Sequence, residues 1–276
     1  MIKETKILQE QFTGFLKTGQ LHFNEALLPY STFNLKPVNE TLSQDSVMPE
    51  NIRLGQRMEV FMEDALKHSS YNILAKNLQL IKDKTTLGEL DFILKEKESL
   101  AIVHLEMVYK FYLYRPEISG FWWDKLIGPN AKDQLTYKLD KLKQQQFPIA
   151  LKSYSKLILE EVIGEFKEIK QQLCFKAQIY LPVNFTNTPE TESFRECIAG
   201  IYYLIDELNL LDIESLRFYI PVKNDWVRMP DENEITLYYK DFYKKMSAAL
   251  EEQRSYMFWV KDYNSTLVSR HFVTWW

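Results

Sequence analysis

The spacing of apolar and polar residues changes period several times along the chain, and each change marks an element. Leu54, Met58, Phe61, Met62 and Ala65 recur at intervals of three and four, which predicts a helix from about Ile52 with one core-facing stripe. Glu59 and Glu63 stand one turn apart beside that stripe. Ahead of it, residues 6–30 mix helical and apolar pieces. Residues 36–51 read as a loop, because two prolines are interspersed with Asn, Ser, Thr and Asp. Three strand-like runs follow at 73–81, 87–94 and 100–113, and connections this short favour antiparallel hairpins over crossovers. Asn130 as an N-cap, with Asp133 three residues on, predicts a helix from Ala131 to about Gln146 that Pro148 ends. Leu135, Leu139 and Leu142 form its buried stripe, with Gln134, Lys138, Lys141 and Gln145 beside it. Helices are expected at 153–170, 192–208 and 235–253, and strands at 173–181, 216–221, 256–260 and 272–275. This order predicts an α/β fold, a mixed central sheet flanked by helices. Residues 1–50 read as an N-terminal extension packed on a core of 51–182, with 183–276 completing the same domain.

The second and third strand runs carry unusual charge. Side chains alternate faces along a strand, so Glu89, Asp91 and Ile93 share one face of the second run. In the third, Ile102, His104, Glu106, Val108, Lys110 and Tyr112 share a face, while Val103, Leu105, Met107, Tyr109, Phe111 and Leu113 make an apolar one. A turn centred between Glu98 and Ser99 sets Asp91 directly opposite Glu106, with Cβ atoms roughly 4.5–5.5 Å apart. Two carboxylates at that distance repel unless one is protonated or a cation lies between them. Oxygen-only ligation with open water positions suits Mg²⁺ or Mn²⁺ better than zinc.

The run Gly88-Glu89-Leu90-Asp91-Phe92, a short turn, and an apolar strand bearing Glu106 and Lys110 resemble the PD-(D/E)XK nuclease superfamily, whose fold is restriction-endonuclease-like. The resemblance implies that Asp91 and Glu106 bind Mg²⁺, that Lys110 orients or activates water, and that Glu59 from the preceding helix joins the metal ligands. It further implies that the following helix turns Lys138, Lys141 and Gln145 towards nucleic-acid phosphate, with His104 beside them. Leu54-Gly55-x-x-x-Glu59, Gly88 to Phe92, His104-Leu105-Glu106 with Lys110-Phe111-Tyr112-Leu113, and Gly128-Pro129-Asn130-Ala131-x-Asp133-x-Leu135 are more closely similar to a bacterial family, domain of unknown function 1853. The superfamily pattern departs at Val108, where Glu-x-Lys would place the lysine. Lys110 keeps the face but lies about 6.6 Å further along the strand.

Composition narrows the classes. A chain of 276 residues with 46% hydrophobic residues buries a sizeable core. A formal net charge of -4 counts against a general nucleic-acid coating protein. Residues 132–156 nevertheless carry six lysines against Asp133 and Asp140, a locally positive stretch. Cys174 and Cys197 lack CxxC spacing and read as free thiols of a reducing compartment. Met1 to Thr5 has no apolar signal core and no run approaches a membrane span, so a cytoplasmic location is expected. The expectation is thus a Mg²⁺- or Mn²⁺-dependent nuclease acting on DNA, with no membrane partner and homodimerisation left open. Its rival is a nuclease-like fold that no longer cleaves and serves as a binding module for nucleic acid or protein.

Overall fold

An N-terminal helix, α1 (Ile2–Lys17), and a segment bearing the two-residue strand β1 (Ser31–Thr32) lead into α2 (Leu54–Lys67). The computed structural model describes residues 2–35, 40–186, 188–232, 234–264 and 268–276. Residues 36–39 of the expected loop lie outside them. Then come β2 (Tyr71–Lys82), β3 (Thr85–Glu96), β4 (Ile102–Tyr114), β5 (Leu126–Ile127), α3 (Leu135–Lys141), α4 (Phe147–Ala150) and α5 (Ser153–Ile163). The chain finishes with β6 (Ile169–Pro182), β7 (Ile198–Leu204), β8 (Leu216–Tyr219), α6 (Tyr239–Glu251), β9 (Tyr256–Asp262) and β10 (Val268–Thr274). The fold is mixed α/β, and its described strands belong to a ten-stranded mixed sheet.

The chain divides into two compact units, Met1–Tyr109 with Tyr137–Lys176, and Lys110–Thr136 with Ala177–Trp276. This differs from the expectation of one domain completed by 183–276. The divisions at 109/110 and 176/177 fall inside β4 and β6, where strand periodicity continues without interruption and a sequence shows no boundary.

In the first unit, the meander of β2, β3 and β4 follows from its tight connections. Helices cover both faces of β4. Phe15 of α1 stacks on Tyr109, and Phe12 and Phe15 pack on Phe61 of α2. On the other face, Phe147 of α4 meets the edge of His104. Val103 to Tyr109 are therefore all buried, as in a strand covered on both sides. A second cluster joins Leu80, Leu90 and Ile93 of the strands to Ala150 and Leu159. Lys176, itself buried, donates to the carbonyls of Leu16 and Thr18, placing positive charge where α1 ends.

The α3 region corrects two expectations. The helix starts at Leu135, four residues late, because Ala131 is in the left-handed region (φ 55°) and Gln134 forms an isolated bridge with Ile127. Nor does Pro148 end it. One π-helical turn, Leu142–Gln146, connects α3 to α4, and Pro148 lies inside α4. Proline has no N–H to give the carbonyl four residues back, and a wider turn just ahead of it accommodates that gap.

In the second unit, β5 pairs with β4, and β6, β7, β10, β9 and β8 follow in that order, parallel as far as β10 and antiparallel beyond. Phe242, Met246 and Leu250 of α6 pack on Phe218, Phe258, Val260 and Val273. The helix expected at 192–208 is absent. Residues 189–197 form 3₁₀ turns, 198–204 are β7, and 205–211 are 3₁₀ again. Ile198, Ile201, Tyr202 and Tyr203 are strand-favouring residues, and pairing with strands on either side decides between two periods that a short apolar run leaves open. The α5 helix stops at Ile163 because Gly164 takes φ 80°.

Gly200 marks the tightest backbone approach in β7: a Cβ there would lie 1.9 Å from the Arg270 carbonyl oxygen. Gly200→Ala is expected to destabilise by about 3 kcal/mol, since backbone must shift to admit the methyl. Gly55, in α2, has nothing within 4 Å of its added Cβ. Gly55→Ala should instead stabilise by about 0.5 kcal/mol. Urea unfolding of both variants checks the pair, and a Gly200→Ala protein as stable as the parent would contradict the crowding.

Candidate functional site

The β3–β4 ladder fixes the central carboxylates. Its pairs run from Lys95↔Ile102 to Phe92↔Leu105. One further step in the same register brings Asp91 opposite Glu106, as the turn position implied. The backbone ladder stops there. The Met107 N–H donates to Asp91 Oδ2 at 2.9 Å, so this side chain occupies a donor that a ladder would otherwise use.

The third member of the row comes from β2. Lys76↔Phe92 and Leu78↔Leu90 bracket Asn77, which lies opposite Asp91 and adopts φ 48°. Asparagine tolerates that left-handed conformation better than most residues, so its occurrence in a strand-like run was a legible signal of an irregularity. The Asn77 amide donates to Glu59 Oε2 at 3.1 Å. Glu63, one turn on, is engaged by Lys76 at 2.6 Å and Lys67 at 3.6 Å. Of the two α2 glutamates, Glu59 is the one whose charge acts on Asp91. Arg57 reaches Gln11 of α1, a partner outside the carboxylate row.

Glu106 is completely buried and held at both oxygens. His104 Nε2 contacts Oε1 at 2.9 Å, and Gln146 Nε2 donates to Oε2. The His104 tautomer with its proton on Nε2 satisfies both neighbours: it donates to Glu106 and leaves Nδ1 to accept from Gln171, 3.4 Å away. Gln171 is anchored in turn on the Phe147 carbonyl. Gln146 Oε1 accepts from Lys138 Nζ at 2.6 Å. One chain of contacts thus runs from Gln171 through His104, Glu106 and Gln146 to Lys138.

Burial, then the charges of Glu106 and Glu59, push the Asp91 carboxyl up to about 8 against the opposing pull of Met107 N–H and Lys138. Burial also raises Glu59, reinforced by Glu89 and Glu106 and opposed by Asn77 and Lys138. The cation acting on both carboxylates is therefore Lys138.

Several expected residues lie elsewhere. Lys110 is in the second unit, ion-paired with Asp133 at 2.6 Å. Four residues along an extended strand from Glu106, about 13 Å, its backbone is too distant to take the place of a Glu-x-Lys lysine. His104 has no exposed surface, which corrects its expected contact with nucleic acid: it braces Glu106 instead. Lys141 and Gln145 are exposed, and the glutamine turned towards Glu106 is Gln146. The π turn accounts for that shift, since one extra residue per turn moves the inward position on by one. The run Gln144-Gln145-Gln146 ahead of Pro148 was its only sequence signal.

Among the described residues, no three His, Cys, Asp or Glu side chains are grouped to hold a metal ion. Asp91, Glu106 and Glu59 therefore do not form a three-carboxylate cage. The donor chemistry nevertheless fits a hard divalent cation bound by two facing carboxylates with water completing its shell, the mode Mg²⁺ favours. Burial first, and then the charges of Glu106 and Glu59, raise Asp91, and a cation at the pair would act against the second of these.

The family model for Domain of unknown function (DUF1853) matches residues 19–266, and the chain belongs to that family. No curated protein and no solved structure matches. No helix among the described residues is long and apolar enough to cross a membrane.

A carboxyl raised from 3.8 to about 8 binds its proton more tightly folded than unfolded. Its effect on stability is nil below the unfolded value and grows unfavourable as pH rises through 4 to 8. Asp91→Asn should therefore raise the melting temperature at pH 8, with the gain shrinking as pH falls towards 4. Thermal unfolding across that range tests this, and a gain independent of pH would contradict it.

Proposed function

We propose that this chain is a metal-dependent phosphodiesterase that hydrolyses nucleic acid, DNA in the first instance, on a restriction-endonuclease-like core in its first unit. The reading is carried by one observation: Asp91 and Glu106 oppose each other on adjacent strands, with the charge of Lys138 acting on Asp91. Asp91 and Glu106 would hold Mg²⁺ or Mn²⁺, which when bound supplies positive charge for the phosphate and acidifies water. Glu59 would stand beyond the direct ligands, and its raised pKa suits it to take a proton from the attacking water. Lys138 offsets the negative charge that develops on phosphate oxygens as the water oxygen bonds to phosphorus and the ester oxygen leaves. Gln146 sets the relative positions of Lys138 and Glu106, and His104 keeps Glu106 from turning. Lys141 and Gln145, exposed nearby in sequence, supply contacts to flanking phosphates.

One observation favours a second reading, a fold that binds without cutting: both Glu106 oxygens already accept hydrogen bonds. Metal titration separates the two readings. A site that takes Mn²⁺ raises the melting temperature, and a vestigial one does not.

Cleavage of single-stranded, duplex and branched DNA with Mg²⁺ or Mn²⁺ tests the primary reading. Asp91→Ala should abolish activity, and Lys138→Ala should lower it about 100-fold. Lys110→Ala should change it less than about threefold, within the range of a surface substitution. Absence of Mn²⁺-dependent cleavage on all three substrates would sink the proposal, and equal losses for the two lysine variants would remove Lys138 from its role.

A further inference from the structure

The second unit carries a cluster that the carboxylate site does not use. Arg217 of β8 and Lys261 of β9 are direct cross-strand partners. Like charges placed opposite each other on one sheet face destabilise the pair. Among the described residues, no carboxylate lies within ion-pair distance of either. Arg217 Nη1 donates only to backbone carbonyls, those of Glu214 and Leu216. Aromatic rings lie against both cations. The Arg217 guanidinium lies 3.8 Å from the Tyr238 ring centroid and 5.5 Å from that of Tyr263, and Lys261 Nζ lies 5.3 Å from Tyr263. Both tyrosines are mostly exposed, at 62% and 60%. The same sheet face continues with Tyr219 opposite Trp259, and the Arg270 guanidinium sits 4.6 Å over the Trp259 ring.

Asp231, Glu232 and Glu234 line the pocket where Lys261 meets Tyr219 and Trp259. The binding end of this face is therefore the group of Arg217, Lys261, Tyr238 and Tyr263. Its two opposed cations, interleaved with open aromatic faces, suit a ligand that is both a polyanion and a stack of flat rings. A duplex offers the charge and hides the rings. An acidic polypeptide offers the charge and has no rings to stack. Single-stranded nucleic acid offers both, its phosphates to the cations and its bases to the tyrosines. We propose that this face of β8 and β9 binds single-stranded nucleic acid, with phosphate between Arg217 and Lys261 and bases on Tyr238 and Tyr263. The surface belongs to the second unit and stands independently of whether the carboxylate site cleaves.

The test is fluorescence anisotropy of labelled oligo-dT and oligo-rU with the full-length chain in EDTA, across a salt series, so that hydrolysis plays no part. Arg217→Gln with Lys261→Gln should weaken binding at least about tenfold and flatten the log–log salt slope by about 0.7 per cation removed. Tyr238→Leu with Tyr263→Leu should weaken it with the salt slope unchanged. Because EDTA removes the divalent metal that cleavage needs, binding lost in these variants is read apart from the cleavage reading. Binding of either oligonucleotide with these losses supports the proposal. Absence of binding at 50 mM salt overturns it, as does parent-like affinity in both double variants. Competition by poly-glutamate with no effect of the tyrosine changes also overturns it, and assigns the surface to an acidic polypeptide. Because the tyrosines are exposed, those variants should keep the parent's melting temperature, so lost affinity reads as lost contact.

Discussion

Two carboxylates opposed on neighbouring buried strands are the constraint around which the first unit is arranged. Burial and the facing charge of Glu106 together raise the Asp91 carboxyl well above the usual carboxylate range. The surrounding polar groups answer that problem. Met107 N–H turns to Asp91, His104 and Gln146 take one oxygen each of Glu106, and Lys138 brings the nearby positive charge. Asp91 nevertheless stays raised, by burial first and by the neighbouring carboxylates second. Burial of β4 on both faces makes these contacts consequential, because hydrogen bonds and charges that water would dilute on a surface act here at close to full strength.

The π turn is the device that delivers Gln146. A regular α-helix through Leu142–Gln146 would turn Gln145 inward and leave Gln146 outside. The added residue reverses that choice and lets one glutamine bond Lys138 and Glu106 together. Position 108, where the superfamily pattern would place a lysine, holds valine, and the cation acting on Asp91 is Lys138 of α3. Val108, in turn, is buried as ordinary core. Lys110, on the strand, is ion-paired with Asp133, so the strand's own lysine and the one acting on Asp91 are different residues.

Much of this was legible beforehand for definite reasons. The β3–β4 register followed from turn length and alternation, since a tight hairpin leaves few registers open. The α2 stripe identified the helix and Glu59 by three- and four-residue spacing alone. Periodicity failed where two periods fit the same letters. Ile198 to Leu204 scans equally as helix and strand, and only flanking strands make it β7. The roles of Asn77 and Gln146 are not written in the period, because they depend on a left-handed residue and a widened turn, for which the asparagine and the glutamine run ahead of Pro148 are the sole local signs.

The sequence by itself determined the α/β class, the paired carboxylates and their facing, because strand alternation and short turns are local rules written into neighbouring residues. Tertiary structure alone decided which cation serves them, which glutamine reaches them, and that His104 braces rather than binds. It also brought Arg217 and Lys261, forty-four residues apart in the chain, side by side on one sheet face. Each of those outcomes depends on distances between segments remote in sequence, which packing sets and local spacing does not encode.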